Sequence, residues 1–307
     1  MGAGKRVLVT GGSGFLGRPL LRRLSAEGYE VHGVSRNSPV RDEIDGDLPA
    51  TWWIADMAQD GASRELLERL RPNVVIHLTS ESRGAPELDA VEPTFRNDLQ
   101  ATVLLLGAAS RIGVHRLIMT TSLDEPRGSG DGVTPATPYA AAKWAAAGYA
   151  RMYAASFGLP TVILRPMMVY GPGQKSFKVV PSMILAMLAG RPAQLSSGQR
   201  PLDWVYVDDV VAGFVAAIGA DSPPVGPIDL GTGQLRTVRE IAERVRSMIP
   251  GSHAPEFGSI PDRPDEVIRR ARTRATKSAL GWQAVTPIDT GLRRTIDSYR
   301  VRLAAGV

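Results

Sequence analysis

Short runs of β-branched and apolar residues alternate with longer stretches of helical period through the first half of the chain, the pattern of a parallel sheet covered by helices on both faces. Lys5–Thr10 opens it as a strand, and Glu30–Val34, Trp52–Ala55, Val74–His77, Leu117–Thr121 and Thr161–Leu164 repeat it. Between them Phe15–Glu27, Ala62–Leu70, Phe95–Ser110 and Pro138–Ser156 carry helical spacing. The glycines and prolines of residues 126–135 mark an exposed loop. Beyond Arg165 regularity falls, because Pro166, Pro172, Pro181, Pro192, Pro201 and Pro223 cut the helices and strands short. The expectation is a doubly wound α/β domain over residues 1–165, then a smaller, irregular α/β lobe over 166–307 that mainly holds substrate. The runs 202–207 and 227–230 are candidates to return to the main sheet.

The first strand runs straight into Gly11-Gly12-Ser13-Gly14-Phe15-Leu16-Gly17. Gly11 allows a tight turn, Gly14 lets backbone approach a pyrophosphate, and Gly17 lets the next helix pack closely with its N-terminus facing the anion. With a strand before it and a helix after it, the motif reads as dinucleotide binding in a Rossmann-type domain rather than as a purely structural turn. The end of the second strand should then choose the cofactor. An acid there would bond a ribose 2′-hydroxyl, but this chain has Ser35-Arg36. A hydroxyl and a guanidinium suit a 2′-phosphate, so NADP is expected ahead of NAD. The alternative is that Arg36 is a solvated loop residue.

Tyr139 and Lys143 stand one helical turn apart on one face. A phenol of pKa about 10 is a poor base near neutrality, and an adjacent ammonium lowers that pKa. Such a pair is common on solvated helices; here Ser122 accompanies it, at the carboxyl end of the fifth strand, where open α/β sheets bind ligands. Asp124 is open between an acid/base role and solvation, while Glu125 is expected to be solvated. His77 is expected to satisfy backbone near the cofactor, and Trp52, Trp53 and Trp282 to pack the core and the lobe.

Composition narrows the classes. The chain has 307 residues, 43% of them hydrophobic, and no cysteine. That length buries roughly 75% of the unfolded surface, so no staple is needed, and thiol catalysis and Cys-ligated metal are excluded. Thirty-six Lys plus Arg against 31 Asp plus Glu leave a net charge of +5, a small bias over such a length. Arg269, Arg270, Arg272 and Arg274 form a basic stretch without interleaved aromatics, so nucleic acid is not an expected partner. No stretch approaches the ~18 apolar residues of a membrane span, and residues 1–6 carry no apolar leader. A cytoplasmic protein without membrane contact is expected.

Taken together, Thr10–Gly17, Asp56-Met57, Val75–Leu78, Ser122, Pro138–Lys143, Arg165-Pro166, Val169–Gly173, Asp203–Val210, Gly231–Gly233, Arg263–Asp265 and Leu280–Trp282 resemble the extended short-chain dehydrogenase/reductase family, in its nucleotide-sugar epimerase, dehydratase and reductase branch. The resemblance implies Tyr139 as acid/base, Lys143 as its ribose-binding partner and Ser122 as the hydroxyl orienting the sugar oxygen. It also implies Asp56 and Met57 beside the adenine, Phe15, Leu16 and Leu78 in the cofactor site, and Arg263 on a nucleotide-sugar diphosphate. Departures fall at Met168, where the family usually has asparagine, and at Leu202, where it has arginine and where Arg200 could substitute. Leu123 separates Ser122 from Asp124-Glu125, which argues against a 4,6-dehydratase. The leading expectation is an NADP-dependent reductase of a nucleotide-linked 4-keto-6-deoxyhexose. An epimerase with tightly held NAD(P) is the alternative, and a non-catalytic dinucleotide sensor a further one. The family implies a homodimer formed through the helices at 95–110 and 138–156, which sedimentation at micromolar concentration would test.

Overall fold

Continuous apolar runs become strands because both of their faces are covered: Val7, Leu8, Val9, Val75 and Ile76 have no measurable exposure. The strands are β1 (Arg6–Thr10), β2 (Glu30–Ser35), β3 (Thr51–Ile54), β4 (Val74–His77), β5 (Arg116–Thr120) and β6 (Thr161–Pro166). The computed structural model describes residues 4–37, 46–81, 87–126, 132–221, 223–224, 226–262 and 267–306. It places these strands in one seven-stranded, Rossmann-type sheet of order Ile228–Leu230, β6, β5, β4, β1, β2, β3. The pairs β1–β2, β1–β4, β2–β3, β4–β5 and β5–β6 are all parallel. The chain leaves β1 towards β2 on one side and returns to β4 on the other. The carboxyl ends of β1 and β4 therefore flank the switch point where such sheets take ligands.

The helices are α1 (Gly17–Ala26), α2 (Ala62–Leu70), α3 (Val91–Thr94), α4 (Ala101–Ile112) and α5 (Pro138–Phe157). Most ends lie within a residue or two of expectation, the usual drift of frayed termini. The single helix expected over Phe95–Ser110 differs in kind. It starts earlier, at Val91, with Pro93 in a first turn where a missing N–H needs no partner, and Phe95–Gln100 is π-helical. The wider π turn accommodates one extra residue and turns Asn97 and Asp98 inward, to 7% and 0% exposure. The start of α5 is fixed locally: Thr137 accepts the Ala140 amide through its side chain, and Pro138 occupies the first turn. That cap sets the positions of Tyr139 and Lys143. The helix ends at Gly158, which takes the left-handed conformation at φ 65°.

The rest of the chain forms β7 (Met168–Tyr170), α6 (Val179–Leu188), β8 (Gln194–Leu195), β9 (Pro201–Tyr206), α7 (Val207–Ile218), β10 (Ile228–Leu230), β11 (Leu235–Thr237), α8 (Val238–Met248), β12 (Glu256–Phe257), α9 (Thr273–Leu280) and α10 (Ile288–Ala304). Of the two runs that could have returned to the main sheet, only the one containing β10 does so. The other becomes β9, which pairs parallel with β7 and antiparallel with β11 in a separate three-stranded sheet. Residues Met1–Arg165, Val211–Ile228 and Ala275–Trp282 form one compact unit, and Pro166–Val210, Asp229–Arg274 and Gln283–Val307 a second. The segments 211–228 and 275–282 thus belong with the first unit rather than with residues 166–307. Among the described residues no helix is long and apolar enough to cross a membrane.

Candidate active site

The turn after β1 is a cradle that only glycine can line. Gly11 sits at φ +67°, and a Cβ there would lie 2.8 Å from the Leu78 carbonyl carbon and the Thr79 nitrogen. A Cβ on Gly17 would come within 2.4 Å of the Gly11 carbonyl oxygen, so the start of α1 lies directly on the turn. Gly14 is exposed, its amide bonded to the Gly11 carbonyl at 3.0 Å. Phe15 and Leu16 are half-buried at the helix entrance. The first turn of α1 holds no acid, and the Arg18 side chain donates to the Ser13 carbonyl at 2.9 Å. Bare backbone, a helix N-terminus and no carboxylate suit the pyrophosphate of a dinucleotide.

At the end of β2, the Ser35 hydroxyl donates to the Asn37 carbonyl, closing its own turn, while Arg36 is exposed. Beyond β3, Asp56 accepts the Ala58 amide at 3.0 Å and Arg96 at 2.5 Å. Burial works against its charge, but that amide and Arg96, with Arg36 adding its field, hold the Asp56 carboxyl below its ordinary value. Met57 beside it is buried. Trp52 lies across the faces of Gly33 and Gly12, Trp53 donates to the His32 ring at 3.2 Å, and Trp282 is buried.

Ser122, Tyr139 and Lys143 meet in the first unit. Tyr139 is half-buried, and the Ser80 and Ser122 side chains are among the groups that act on its hydroxyl. Ser122 also accepts the Asp124 amide at 3.1 Å. Lys143, 3% exposed, places its Nζ 5.9 Å from the Tyr139 ring centroid and 3.3 Å from Asp98 Oδ1. The lysine was expected to lower the tyrosine's pKa. In the protein as it stands that pKa is raised, by burial first and then by the Asp98 charge, with Asp124 adding to the rise and the Ser80 and Ser122 hydroxyls opposing it. The Lys143 ammonium is itself paired with Asp98.

Asp98 and Ser80 were not anticipated. The Ser80 hydroxyl donates to Asp98 Oδ1 at 2.5 Å and the Glu81 amide to Oδ2 at 2.9 Å. The signal available in sequence was a polar pair, Asn97-Asp98, inside an otherwise core-like helical stretch, and two hydroxyls, Thr79-Ser80, directly after β4. His77 satisfies side chains rather than backbone: Thr10 Oγ1 lies 2.7 Å from its Nδ1 and Thr102 Oγ1 3.0 Å from its Nε2. Thr102 spends its proton on the Asp98 carbonyl at 2.6 Å, so Nε2 carries the imidazole hydrogen and Nδ1 accepts from Thr10. Burial, followed by the Lys143 charge, pushes the His77 pKa down to about 3, so the ring is neutral. Glu125 corrects a second expectation. It is 4% exposed rather than solvated, accepts the Thr121 hydroxyl, and pairs with Arg165 at 3.5 Å.

In the second unit, Met168 is half-buried on β7 opposite Trp204. Leu202 is buried in β9, and Arg200 donates to the Val267 carbonyl at 3.2 Å. Arg263 lies outside the described residues. Asp203, 1% exposed, accepts the Thr232 amide and hydroxyl at 2.8 and 2.7 Å and the Gly233 and Ala271 amides at 2.9 Å.

Comparison with known proteins agrees with this arrangement. The model of the NAD dependent epimerase/dehydratase family matches residues 7–230. A UDP-glucose 4-epimerase of Mycolicibacterium smegmatis is 32% identical, over 96% of this chain and 98% of its own. A probable dTDP-glucose 4,6-dehydratase of Sinorhizobium fredii is 29% identical, over 96% and 92%. Among solved structures, the UDP-glucose 4-epimerase of Thermus thermophilus in complex with NAD superposes with a TM-score of 0.82 at 28% identity, covering 96% of this chain and 99% of that one.

Proposed function

Because the chain belongs to the NAD dependent epimerase/dehydratase family, enzymes of the extended short-chain dehydrogenase/reductase type, we propose that it is a nucleotide-sugar epimerase that retains its NAD(P) through the cycle. The observation that carries this reading is the meeting of Tyr139 and Lys143, Nζ 5.9 Å from the tyrosine ring centroid, with Ser122 after β5, at the carboxyl end of the sheet. Glu125 is committed to Arg165 and Thr121, which leaves Asp124 without an adjacent carboxylate to share a dehydration, and that weighs against the dehydratase relatives.

The residues that would hold the dinucleotide are Gly11, Gly14, Phe15, Leu16 and Gly17 at its phosphates, Asp56 and Met57 at its adenine, and Leu78 and Lys143 at its nicotinamide side. When bound, it supplies reversible hydride exchange with a carbinol carbon. Tyr139 takes the carbinol proton and returns it, a role worth about 10²- to 10⁴-fold in rate. Ser122 orients the sugar oxygen, and Lys143 stays buried beside the tyrosine. We assign recognition of the nucleotide to the second unit, with Arg200 and Arg263 for the diphosphate and Met168 near the sugar.

A second reading, an NADP-dependent keto-sugar reductase, is favoured by one feature: β2 ends in Ser35-Arg36 and not in an acid. Denaturing the purified protein and identifying the released nucleotide separates the two. Tightly held cofactor, with interconversion of UDP-glucose and UDP-galactose, is the expected result. A protein that is isolated empty and consumes NADPH stoichiometrically is the reductase.

We also propose a homodimer. Val91, Phe95, Trp144, Tyr149, Met152 and Phe157 leave large apolar side chains exposed on the two neighbouring helical segments that the family pairs between subunits. A sedimenting monomer at micromolar concentration would refute it.

A further inference from the structure

The sheet edge assigned to the adenosine half of a dinucleotide carries more charge than Arg36 alone. In the register of β2 with β3, Ser35 stands opposite Ile54, and the Ala55 amide donates to the Ser35 carbonyl at 3.0 Å. Arg36 and Asp56 therefore leave the same edge of the sheet, on neighbouring strands about 4.8 Å apart. The Gly11 amide donates to the Val34 carbonyl at 3.2 Å, which ties the glycine turn to that edge. A bare carboxylate at this point would repel a ribose 2′-phosphate. Asp56 is a carboxylate, but it is not bare.

Arg96 places its Nη2 2.5 Å from Asp56 Oδ2, while Asp56 Oδ1 accepts the Ala58 amide at 3.0 Å. Both carboxylate oxygens are engaged. The π-helical segment Phe95–Gln100 carries Arg96 to this turn, and one helical turn further on the Gln100 side chain donates to the Ala58 carbonyl at 3.0 Å. The Arg96 and Asp56 side chains are 44% and 26% exposed, yet two contacts from one segment to one turn set the pair apart from a loose surface ion pair. Burial opposes the Asp56 charge; the Ala58 amide, Arg96 and the more distant field of Arg36 together outweigh it.

We propose that Arg96 is a second determinant of cofactor choice: paired with Asp56, it cancels that carboxylate and leaves Arg36 to meet a ribose 2′-phosphate unopposed. The inference rests on the dinucleotide reading of the glycine turn and deepens it with a residue from a helical segment far from β2 in sequence. Arg36, Asp56 and Arg96 sum to one positive charge. Without Arg96 the ionised Asp56 offsets Arg36, and the attraction for a 2′-phosphate falls away. A 2′-hydroxyl carries no charge, so a nucleotide that ends in one is indifferent to the change. Arg96 acts through Asp56 rather than on the phosphate, and is a positioning residue for the charge at this edge.

The test uses two fragments that differ only in the group at issue, adenosine 2′,5′-bisphosphate and adenosine 5′-monophosphate, titrated by calorimetry into the full chain freed of nucleotide. Their affinity ratio cancels whatever a substitution does to the adenine or to the 5′-phosphate. Arg96→Gln is expected to lower the preference for the bisphosphate about fivefold at low ionic strength, and raised salt to shrink that loss. Arg96→Lys should keep the wild-type ratio. Arg96→Gln combined with Asp56→Asn, which removes both charges, should recover it, and Asp56→Asn alone should raise it. An unchanged ratio in Arg96→Gln overturns the proposal. So does a double variant whose ratio stays as low as that of Arg96→Gln, because Arg96 would then act on the phosphate itself or on the fold. Should Arg96→Gln fail to fold, Asp56→Asn decides: a ratio that does not rise overturns the proposal. Wild type that binds neither fragment, nor NADH or NADPH, refutes the dinucleotide reading and takes the proposal with it.

Discussion

Asp98 in the first unit and Asp203 in the second are equally buried, yet they keep different company. Asp203 is held by three backbone amides and one hydroxyl, from Thr232, Gly233 and Ala271, none of which titrates in the physiological range. Asp98 is held by one amide, the Ser80 hydroxyl and the Lys143 ammonium, and its charge is felt by Tyr139. The first arrangement ties two loops to a strand and has nowhere to send a proton. The second is a branch point between groups whose charge can change. Burial alone therefore does not mark a carboxylate as functional; the chemistry of its donors does.

The largest expected effect tests the structural side of that contrast. Asp203→Ala strands three backbone amides and should cost at least about 3 kcal/mol in urea unfolding, since each unsatisfied donor is worth about 1–3. Asp203→Asn, which retains one acceptor oxygen, should cost less. Neither should move the pH profile of activity in the protein that remains folded. A displaced profile in Asp203→Asn would erase the distinction between the two acids.

The next effect lies in the first unit and reads its titratable character as stability. Folded His77 has a pKa of about 3, against about 6.5 when unfolded. The fold therefore favours the neutral ring, and unfolding takes up a proton below pH 6.5. This contribution is fully present above the unfolded value and is lost as pH falls from there towards 3, by about 2 kcal/mol at pH 5. His77→Gln keeps a donor and an acceptor for Thr10 and Thr102 but cannot titrate. Urea unfolding at pH 7 and pH 5 should show a smaller loss in the variant than in wild type. Equal losses would mean that carboxylates elsewhere account for the acid sensitivity.

What was legible in the sequence follows the same division between local and distant causes. The glycine turn, the buried strands and the Tyr139–Lys143 spacing are set by neighbours within a few residues, and the periodicities carry them directly. The Asp98 network joins positions 77–81, 98–102 and 139–143, and the π turn that aims Asp98 inward is invisible to a pattern that assumes one helical period. Glu125 stands beside Pro126 and a glycine-rich stretch, which reads as solvated loop; its partner Arg165 is forty residues away on β6. The apolar run of β9 announced a buried strand without saying which sheet it would join.

The smallest expected effect falls on an exposed residue. Arg36 lies at the end of β2, the edge where this fold distinguishes a 2′-phosphate from a 2′-hydroxyl. Ser35 turns its hydroxyl to the Asn37 carbonyl, which leaves Arg36 as the residue we propose for the discrimination, with Asp56 in its field but partly neutralised by Arg96. One guanidinium on a solvated phosphate should be worth about 1.4 kcal/mol, or tenfold in Kd. Titrating NADPH and NADH into emptied protein by fluorescence should show Arg36→Ala losing about that factor for NADPH, with NADH affinity and unfolding midpoint unchanged. Because the pair is exposed, raised salt should shrink the difference. If wild type prefers NADH and Arg36→Ala leaves both affinities alone, Arg36 is a solvated loop arginine and the reductase reading loses the feature that favoured it.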